Sequence, residues 1–516
     1  MANELEELRK EVAYLKSVID ANSTGLSAKE CLSDVLEEHP NHIPEHSSEA
    51  ASVKAVIQDN CLLDFQPQLN TSSYVNVEFE REEEEVALMG LKVNLADQTV
   101  YPQSYKIHDR LVNMIAHLWN CPKPDDYDEY GVYAGAGTVG STEACLLAGL
   151  ALKFRWRKWY AERNNLTEEQ VLAKRPNIVI STCYQAAWEK LIKYMDIDCK
   201  LVQPKSTTFT IDPAAVKDAI DDHTIGVVCI MGNHYGGQYD PVWDVNDVIA
   251  EINQEKGYQV GIHVDAASGG FIAPFQKGLP VWDFRLKNVL SISSSGHKYG
   301  ESCCGTGWVV WRQRKGLSEH VAISVTYLGG KADSYTLNFS RPASGVYVQY
   351  YKFLRYGMYG YQDVCDHMMK HAKMIRDGLK NMTCNGKARF VFLDNGDEHC
   401  LPVVTAMLNP DCKLRFNDVD LQNALSQHHW YVSAYKMGFN HPLTEKLEPL
   451  FSDQESGKTM FRIVVKSNIS GNMVHNLLES FQEAFDFLDS IDFDTAHGFS
   501  TRKLRHKDQA IISNHC

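Results

Sequence analysis

Short apolar segments, each long enough for one buried strand, recur through the middle of this 516-residue chain. The clearest of them are 177–182, 225–231, 259–264, 288–293 and 306–311. Stretches of helical character lie between several of these, most clearly at 141–160 and 244–255. Strands that alternate with helices are typical of a mostly parallel sheet, because parallel neighbours are joined by crossover helices. The pattern predicts a doubly wound α/β domain from about residue 105 onwards.

The N-terminal region has a different pattern. Apolar residues recur at alternating steps of three and four, as in a coiled-coil seam, at Leu5, Leu8, Val12, Leu15 and Ile19. The run is shorter than the three or four heptads that identify a coiled coil, so we expect either a short coiled coil or an amphipathic helix over residues 1–24. Either form is a candidate contact between subunits. Residues 21–50 suit a linker, and the acidic run 78–85 predicts a solvated helix face.

The C-terminal region predicts a second, smaller domain. A helix-rich stretch at about 344–380 is followed by short apolar segments at 387–393, 402–408 and 459–465. These favour an α+β fold. The expected organisation is a helix at 1–24, an N-terminal segment at 25–104, a large domain at 105–375, a small domain at 376–490 and a tail at 491–516.

Two charged residues stand just beyond two of the predicted strands. Asp265 follows 259–264, and Lys298 lies beyond 288–293 in the segment Ser295-Gly-His-Lys298. A lysine can hold pyridoxal 5′-phosphate (PLP) as a Schiff base, and a carboxylate can keep its pyridine nitrogen protonated so that the ring accepts electrons. Taken singly, the two residues are more often a surface lysine and a helix cap. Their shared placement at strand ends favours PLP.

A glycine-rich segment, Gly135-Ala-Gly-Thr-Val-Gly140, matches the G-x-G-x-x-G pattern of dinucleotide sites. That motif needs a preceding strand and an acidic residue ~20 positions later, and neither is evident here. A simpler use is that Ser141 and Thr142 open a helix whose free N–H groups bind one phosphate. The alternative is that Ser141 only caps the helix.

Composition excludes some partners. A net charge of −15 and a pI near 5.7 disfavour nucleic acid, and no apolar run approaches the ~20 residues of a membrane span. With an acidic, polar start, we expect a soluble, cytoplasmic protein. The 14 cysteines form no C-x-x-C pair, which favours reduced thiols. No metal site is predicted.

Further motifs stand in the order and approximate spacing of a known family. They are Tyr101-Pro-Gln-Ser104, Leu118-Trp-Asn120, Gly140-Ser-Thr-Glu-Ala144, His263-Val-Asp-Ala-Ala-Ser-Gly-Gly-Phe271, Tyr327-Leu-Gly-Gly330 and Asn338-Phe-Ser-Arg-Pro342. Over about 70–462 the chain resembles the group II PLP-dependent amino-acid decarboxylases, most closely the glutamate-specific branch. The resemblance implies the PLP-dependent transferase fold type I, with a large PLP domain and a small C-terminal domain. It also implies a homodimer or higher homo-oligomer with active sites at the interface, to which 25–104 would contribute; hexamers occur in the family.

The resemblance also assigns roles. Lys298 would carry the cofactor, Asp265 would face its ring nitrogen, and Ala267 and Gln185 would cover its two faces. The phosphate would be bound by Ser141, Thr142, Ser295 and His297, with Ser340 of the neighbouring subunit. Tyr335 would return a proton to the substrate Cα, with Tyr327 as the second candidate. Arg462 would hold the α-carboxylate; the alternative is a surface arginine on a strand.

The resemblance leaves the substrate open. Ser73 and Asp97, with Tyr74 and Asn94 nearby, are compatible with binding of the distal carboxylate of glutamate. The alternative is that Ser73 and Asp97 form an ordinary turn and cap. His234 stands where the bacterial glutamate enzymes usually have threonine, and Glu189 replaces a histidine after Trp188. We therefore expect α-decarboxylation of L-glutamate to 4-aminobutanoate and CO2, with a neutral substrate (methionine, valine or leucine) as the alternative. An aminotransferase or lyase of fold type I, a catalytically silent homologue and an NAD-dependent oxidoreductase are the competing classes.

Overall fold

The computed structural model describes residues 2–23, 41–43, 47–314, 323–325, 332–394, 396, 399–453 and 458–491. It divides into two compact units, 1–67 and 68–516. The first unit contains helices α1 (Ala2–Ser23) and α2 (Ala50–Cys61). Helix α1 occupies the predicted N-terminal segment, and Leu8, Val12 and Leu15 on it are exposed. The side chains of Leu5 and Ile19 lie outside the described set.

The second unit is built around a seven-stranded sheet. Its strands are β1 (Gly135–Thr138), β2 (Asn177–Ser181), β3 (Asp198–Val202), β4 (Thr224–Ile230), β5 (Ile262–Asp265), β6 (Val289–Ser294) and β7 (Gly307–Trp311). They lie in the order β1-β7-β6-β5-β4-β2-β3, with β7 antiparallel to both its neighbours and the other pairs parallel. The predicted mostly parallel α/β sheet is confirmed. Strands β1 and β3 are additions: β1 is Gly-Ala-Gly-Thr, and the apolar residues of β3 are interrupted by Asp198 and Lys200.

Strands β2, β4 and β5 are buried along their whole length, as expected of a parallel sheet covered by helices. The helices between residue 81 and residue 256 are α3 (Arg81–Gly90), α4 (Pro102–Leu118), α5 (Tyr127–Tyr130), α6 (Ser141–Asn164), α7 (Glu168–Leu172), α8 (Ala186–Tyr194), α9 (Pro213–Ala219) and α10 (Val242–Lys256). Short 3₁₀ turns occur at Pro67–Leu69, Gly269–Phe271, Ala273–Phe275 and Pro410–Cys412. No described helix is both long and apolar enough to cross a bilayer.

The C-terminal part is α+β, as the apolar segments there predict. Helix α11 (Ser344–Lys380) is interrupted at Gly357, whose φ of 58° and ψ of −171° are not helical. The short strands β8 (Ile323–Val325) and β9 (Ala332–Ser334) precede this helix. The elements after it are β10 (Thr383–Cys384), β11 (Lys387–Ala388), β12 (Phe390–Phe392), β13 (Val403–Leu408), α12 (Asp418–Ser426), β14 (Ser433–Lys436), β15 (Gly438–Asn440), β16 (Leu447–Pro449), β17 (Thr459–Val464) and α13 (Gly471–Ser490). Strands β12, β13, β17 and β14 form an antiparallel sheet in that order. The predicted domain boundary at 375/376 falls inside α11 and stays a prediction.

The acidic run at 78–85 is not simply a solvated helix face. Glu83 on α3 is fully buried, and its carboxylate lies 2.9 Å from the Nζ of Lys352, which is 2 % exposed. Glu83 also accepts a hydrogen bond from the backbone N–H of Glu80 at the start of the helix. The sequence prediction was wrong here because the partner lysine lies on α11, far away in the chain, and the acidic run gives no sign of it.

The sheet directions decide where the functional residues meet. Because β7 is antiparallel to both β1 and β6, strand β1 runs in the same direction as β2, β4, β5 and β6. The carboxyl ends of these strands therefore share one edge, which is where ligands bind in open α/β sheets. Asp265 ends β5, and Lys298, Ser141 and Gln185 each follow a strand at this edge.

Candidate active site

Lys298 lies in the turn after β6 and is buried, with 5 % of its surface exposed. Its Nζ donates a hydrogen bond to the Oγ of Ser268, 3.3 Å away, and lies 5.3 Å from the centre of the Tyr74 ring. The alternative of a solvated surface lysine is therefore wrong. A lysine held inside the protein at the ligand-binding edge of the sheet is placed as a cofactor-binding lysine must be.

Asp265 is buried at the end of β5, and both of its carboxylate oxygens have partners. Oδ2 accepts a hydrogen bond from the indole Nε1 of Trp188 at 2.7 Å, and Oδ1 accepts one from the backbone N–H of Ala267 at 3.0 Å. Trp188 lies one turn into α8, which has Gln185 as its N-cap. Asp265 thus contacts both Trp188 and the backbone of Ala267, while Gln185 stands three residues before Trp188 at the start of the same helix.

A set of hydrogen-bond donors lies where a phosphate is expected. Ser141 and Thr142 begin the 24-residue helix α6, so their backbone N–H groups have no partner within the helix. Its N-cap is Gly140, with φ of 145°, and a Cβ added there would lie 3.4 Å from the His297 ring. Ser295 is buried, and its hydroxyl has no hydrogen-bond partner within the described residues. Hydroxyls, helix N–H groups and an imidazole fit a phosphate.

The charge state of His297 suits that role. Its Nδ1 accepts a hydrogen bond from the backbone N–H of Thr306 at 3.1 Å, which assigns the proton of the neutral ring to Nε2. Burial, reinforced by the charge of Lys298, lowers the pKa of His297 to about 4. The ring is therefore a neutral donor near pH 7. The G-x-G-x-x-G segment has no dinucleotide geometry, because its first two glycines lie inside β1 rather than in a loop after it.

Arg462 and Tyr74 form the opposite wall of the site. The guanidinium of Arg462, on β17, donates hydrogen bonds to the backbone carbonyls of His234 and Ser72. It also lies 4.9 Å from the centre of the Tyr74 ring, so that this ring contacts both Lys298 and Arg462. The Tyr74 hydroxyl donates to the carbonyl of His234 at 3.2 Å. Arg462 is buried, so the alternative of a surface arginine is wrong.

The imidazole of His234 is also part of this wall. It is 2 % exposed, and neither ring nitrogen has a hydrogen-bond partner within the described part of the chain. Burial holds the pKa of His234 well below its usual value, and the charges of Arg462 and Lys298 act in the same direction. The ring is therefore neutral. Ser73, next to Tyr74, accepts a hydrogen bond from the backbone N–H of Val75, as expected of an ordinary turn.

Other residues that the sequence assigned to the site form a second group. The Nδ2 of Asn94 donates to the Oγ of Ser340 at 3.2 Å, and Asp97 accepts a hydrogen bond from the backbone N–H of Val100, as a local cap. Tyr335 packs against the apolar cluster around β1 and lines a small cavity that Phe339 and Arg341 also line. Tyr327 lies outside the described residues.

Sequence reasoning did not assign roles to Trp188 and Ser268. Trp188 is three residues after Gln185, and Ser268 is three residues after Asp265 in the same motif. These short distances in sequence from Gln185 and Asp265 were the only available indication that Trp188 and Ser268 belong to the site. The contacts themselves depend on how β5, β6 and α8 lie against each other.

Comparison with known proteins agrees with this geometry. The profile of the Pyridoxal-dependent decarboxylase conserved domain matches residues 85–393. A glutamate decarboxylase of Lactococcus lactis is 37% identical over 446 residues, which are 86% of this chain and 89% of that protein. Glutamate decarboxylase 1 of Arabidopsis thaliana is 34% identical over 458 residues, covering 89% and 85% respectively.

A solved structure is similar as well. That of a glutamate decarboxylase from Lactobacillus brevis has a TM-score of 0.77 at 35% identity, covering 87% of this chain and 95% of that one. The profile spans more than half of the chain, and the relatives match it nearly end to end. The chain therefore belongs to the pyridoxal-dependent decarboxylase family, with pyridoxal 5′-phosphate as its cofactor and a carboxy-lyase activity.

Proposed function

We propose that this chain catalyses the α-decarboxylation of L-glutamate, giving 4-aminobutanoate and CO2. The observation that carries the substrate assignment is the similarity to glutamate decarboxylases from bacteria and plants, at 33–37% identity over most of the chain. The site supports the proposal because it contains a buried arginine, Arg462, that can bind one carboxylate of glutamate, and the buried lysine Lys298.

The cofactor, when bound, supplies a conjugated ring that accepts the electron pair left behind when CO2 departs. Lys298 would hold the cofactor through its Nζ. Asp265, fixed by Trp188 and Ala267, would pair with the ring nitrogen, and Ala267 and Gln185 would cover the two faces of the ring. Ser141, Thr142, Ser295 and neutral His297 bind the phosphate, because all of them can donate hydrogen bonds to it.

Arg462 positions the α-carboxylate. Its guanidinium is fixed by the carbonyls of His234 and Ser72, so it loses little side-chain entropy on binding. Tyr74 and neutral His234 form the rest of that wall and exclude water. Ser73, Asn94 and Asp97 are assigned to the distal carboxylate of glutamate.

The second group of residues suggests how the site is completed. Asn94 contacts Ser340, and Tyr335 lines a small cavity together with Leu95 and Ala96, which stand between Asn94 and Asp97 in the chain. We assign Ser340 and Tyr335 to the active site of a neighbouring subunit in a homodimer or higher homo-oligomer. There Ser340 would bind phosphate, and Tyr335, or else Tyr327, would protonate Cα. A cytoplasmic location stays a prediction from the sequence.

Incubation of the PLP-loaded protein with single amino acids tests the proposal, with amine and CO2 both quantified. Glutamate should give 4-aminobutanoate and CO2 in equal amounts, and Lys298→Ala should give neither. Preference for methionine, valine or leucine would overturn the glutamate assignment while leaving a decarboxylase. Amine transfer without CO2 would indicate an aminotransferase.

A further inference from the structure

A group of buried charges lies directly behind the Lys298 turn, and the proposed reaction does not use it. Glu301, three residues after Lys298, is 2 % exposed. Its Oε2 accepts a hydrogen bond from the Oγ of Ser467 at 2.9 Å. The buried pair of Glu83 and Lys352 and the buried Lys466 act electrostatically on the same carboxyl. Four charged side chains from separate parts of the chain thus meet at this point.

The backbone of Glu301 closes the turn that carries the lysine. Its N–H donates to the carbonyl of Lys298 at 3.0 Å, and its φ of 63° is in the left-handed region, which is unfavourable for glutamate. Such a conformation costs free energy in a residue with a Cβ and persists only where the surroundings hold it.

Neighbouring side chains hold the same turn from two other directions. The amide of Asn76 donates to the carbonyl of Glu301 at 2.9 Å, and the backbone N–H of Asn76 donates to that of His297 at 2.8 Å. Gln349 and Tyr361, on α11, both donate to the carbonyl of Gly300 at 2.8 Å. The Lys298 turn is therefore fixed between the segment that bears Tyr74 and helix α11.

We propose that Glu301 is a positioning residue for Lys298: its left-handed backbone closes the lysine turn, and its buried carboxyl, bonded to Ser467, anchors that turn among the buried charges of Glu83, Lys352 and Lys466. The proposal rests on the proposed function only for its effect on turnover.

The carboxyl changes charge within the neutral range. Burial raises the pKa of Glu301 to about 7, with Glu83 acting in the same direction and with Lys352, Ser467 and Lys466 opposing. Lys466 has no hydrogen-bond partner among the described residues, and burial lowers its pKa to about 8 against the effect of Glu301. The other titratable groups facing the carboxyl are Tyr356 and Tyr361 on α11.

The contribution of Glu301 to stability falls as the pH rises. The pKa of Glu301 in the folded chain, about 7, is above its ordinary value of 4.5, so its stabilising contribution is complete below about pH 4.5, decreases from there and is lost above about pH 7. Lys466 keeps its proton over this range and attracts the ionised carboxyl, as Lys352 does. Burial and the repulsion by Glu83 outweigh that attraction, so ionisation of Glu301 costs free energy that we expect to loosen the turn.

Cofactor-free protein provides the first test. Between about pH 5 and pH 8, the Tm of Glu301→Gln relative to wild type should rise by roughly 2–3 °C, because glutamine cannot ionise. Hydrogen exchange of the backbone amides at 295–302, corrected for intrinsic rates, should accelerate over this range in wild type only. The matched control is Glu85→Gln, an exposed acid on α3, whose Tm difference from wild type should not depend on pH.

Two further measurements complete the test. Ser467→Ala removes a hydrogen bond that lowers the pKa of Glu301, so the changes of Tm and hydrogen exchange with pH should occur at higher pH in this variant than in wild type. The same variant tests the inference if Glu301→Gln does not fold. In the PLP-loaded wild-type enzyme, kcat should decline as the pH rises through about 7, and Glu301→Gln should remove this decline. Identical Tm and exchange profiles for Glu301→Gln and wild type would overturn the inference whatever the substrate proves to be. Absence of decarboxylation with the pH effects intact would overturn only the proposed function.

Discussion

The hydrogen bond from Trp188 to Asp265 gives the most specific prediction for the reaction. Trp188→Phe keeps an aromatic ring at a fully buried position but removes the N–H that reaches Oδ2 at 2.7 Å. A hydrogen bond to a charged group contributes about 1.5–3 kcal/mol. If that energy holds Asp265 in place for the cofactor nitrogen, its loss should appear as a decrease of roughly 10- to 100-fold in kcat and cofactor affinity combined.

The assay measures the effects on cofactor affinity and on kcat separately. Cofactor-free protein is titrated with PLP while the absorbance of the bound cofactor is followed, which gives Kd, and kcat is then measured at saturating PLP. Trp156→Phe is the matched control, because its indole also donates to an oxygen, the carbonyl of Asp222 at 2.8 Å, but has no contact with Asp265. Values of kcat and Kd for Trp188→Phe no worse than those of the control would refute a positioning role for Trp188.

Three further substitutions follow from the same structure. Lys298→Ala should abolish turnover while the far-UV circular dichroism stays unchanged. Borohydride reduction of the wild type should link PLP covalently to Lys298, and a labelled peptide that contains another lysine instead would contradict the assignment. Tyr335→Phe should slow amine formation and raise the share of carbonyl by-products, measured by mass spectrometry, because the carbanion loses its proton donor; an unchanged ratio would point to Tyr327. Lys352→Met should lower the free energy of unfolding by about 3–5 kcal/mol, measured by urea denaturation, because it leaves Glu83 buried and unpaired. The double variant Glu83→Gln/Lys352→Met should recover part of that loss, and no recovery would argue against the pair.

The sequence alone determined the fold class and singled out candidate cofactor residues. Alternation of apolar strands and helices predicted the sheet because burial on both faces leaves continuous apolar segments at β2, β4 and β5. Asp265 and Lys298 could be identified because each stands just after such a segment. Strand β1 escaped prediction because it consists of Gly-Ala-Gly-Thr and takes its place from pairing with β7.

Only the tertiary structure decided which side chains meet. Glu83 belongs to an acidic run that predicts solvent exposure, yet a lysine some 270 positions away makes it a buried ion-pair partner. Trp188 and Glu301 carry no mark in the sequence, since one acquires its role from α8 facing β5 and the other from a turn whose neighbours come from α11 and the region after β17. Local propensity and periodicity indicate whether a segment forms a helix or a strand and which of its faces is buried. Hydrogen bonds and charge pairs between distant segments depend instead on the packing of the whole unit.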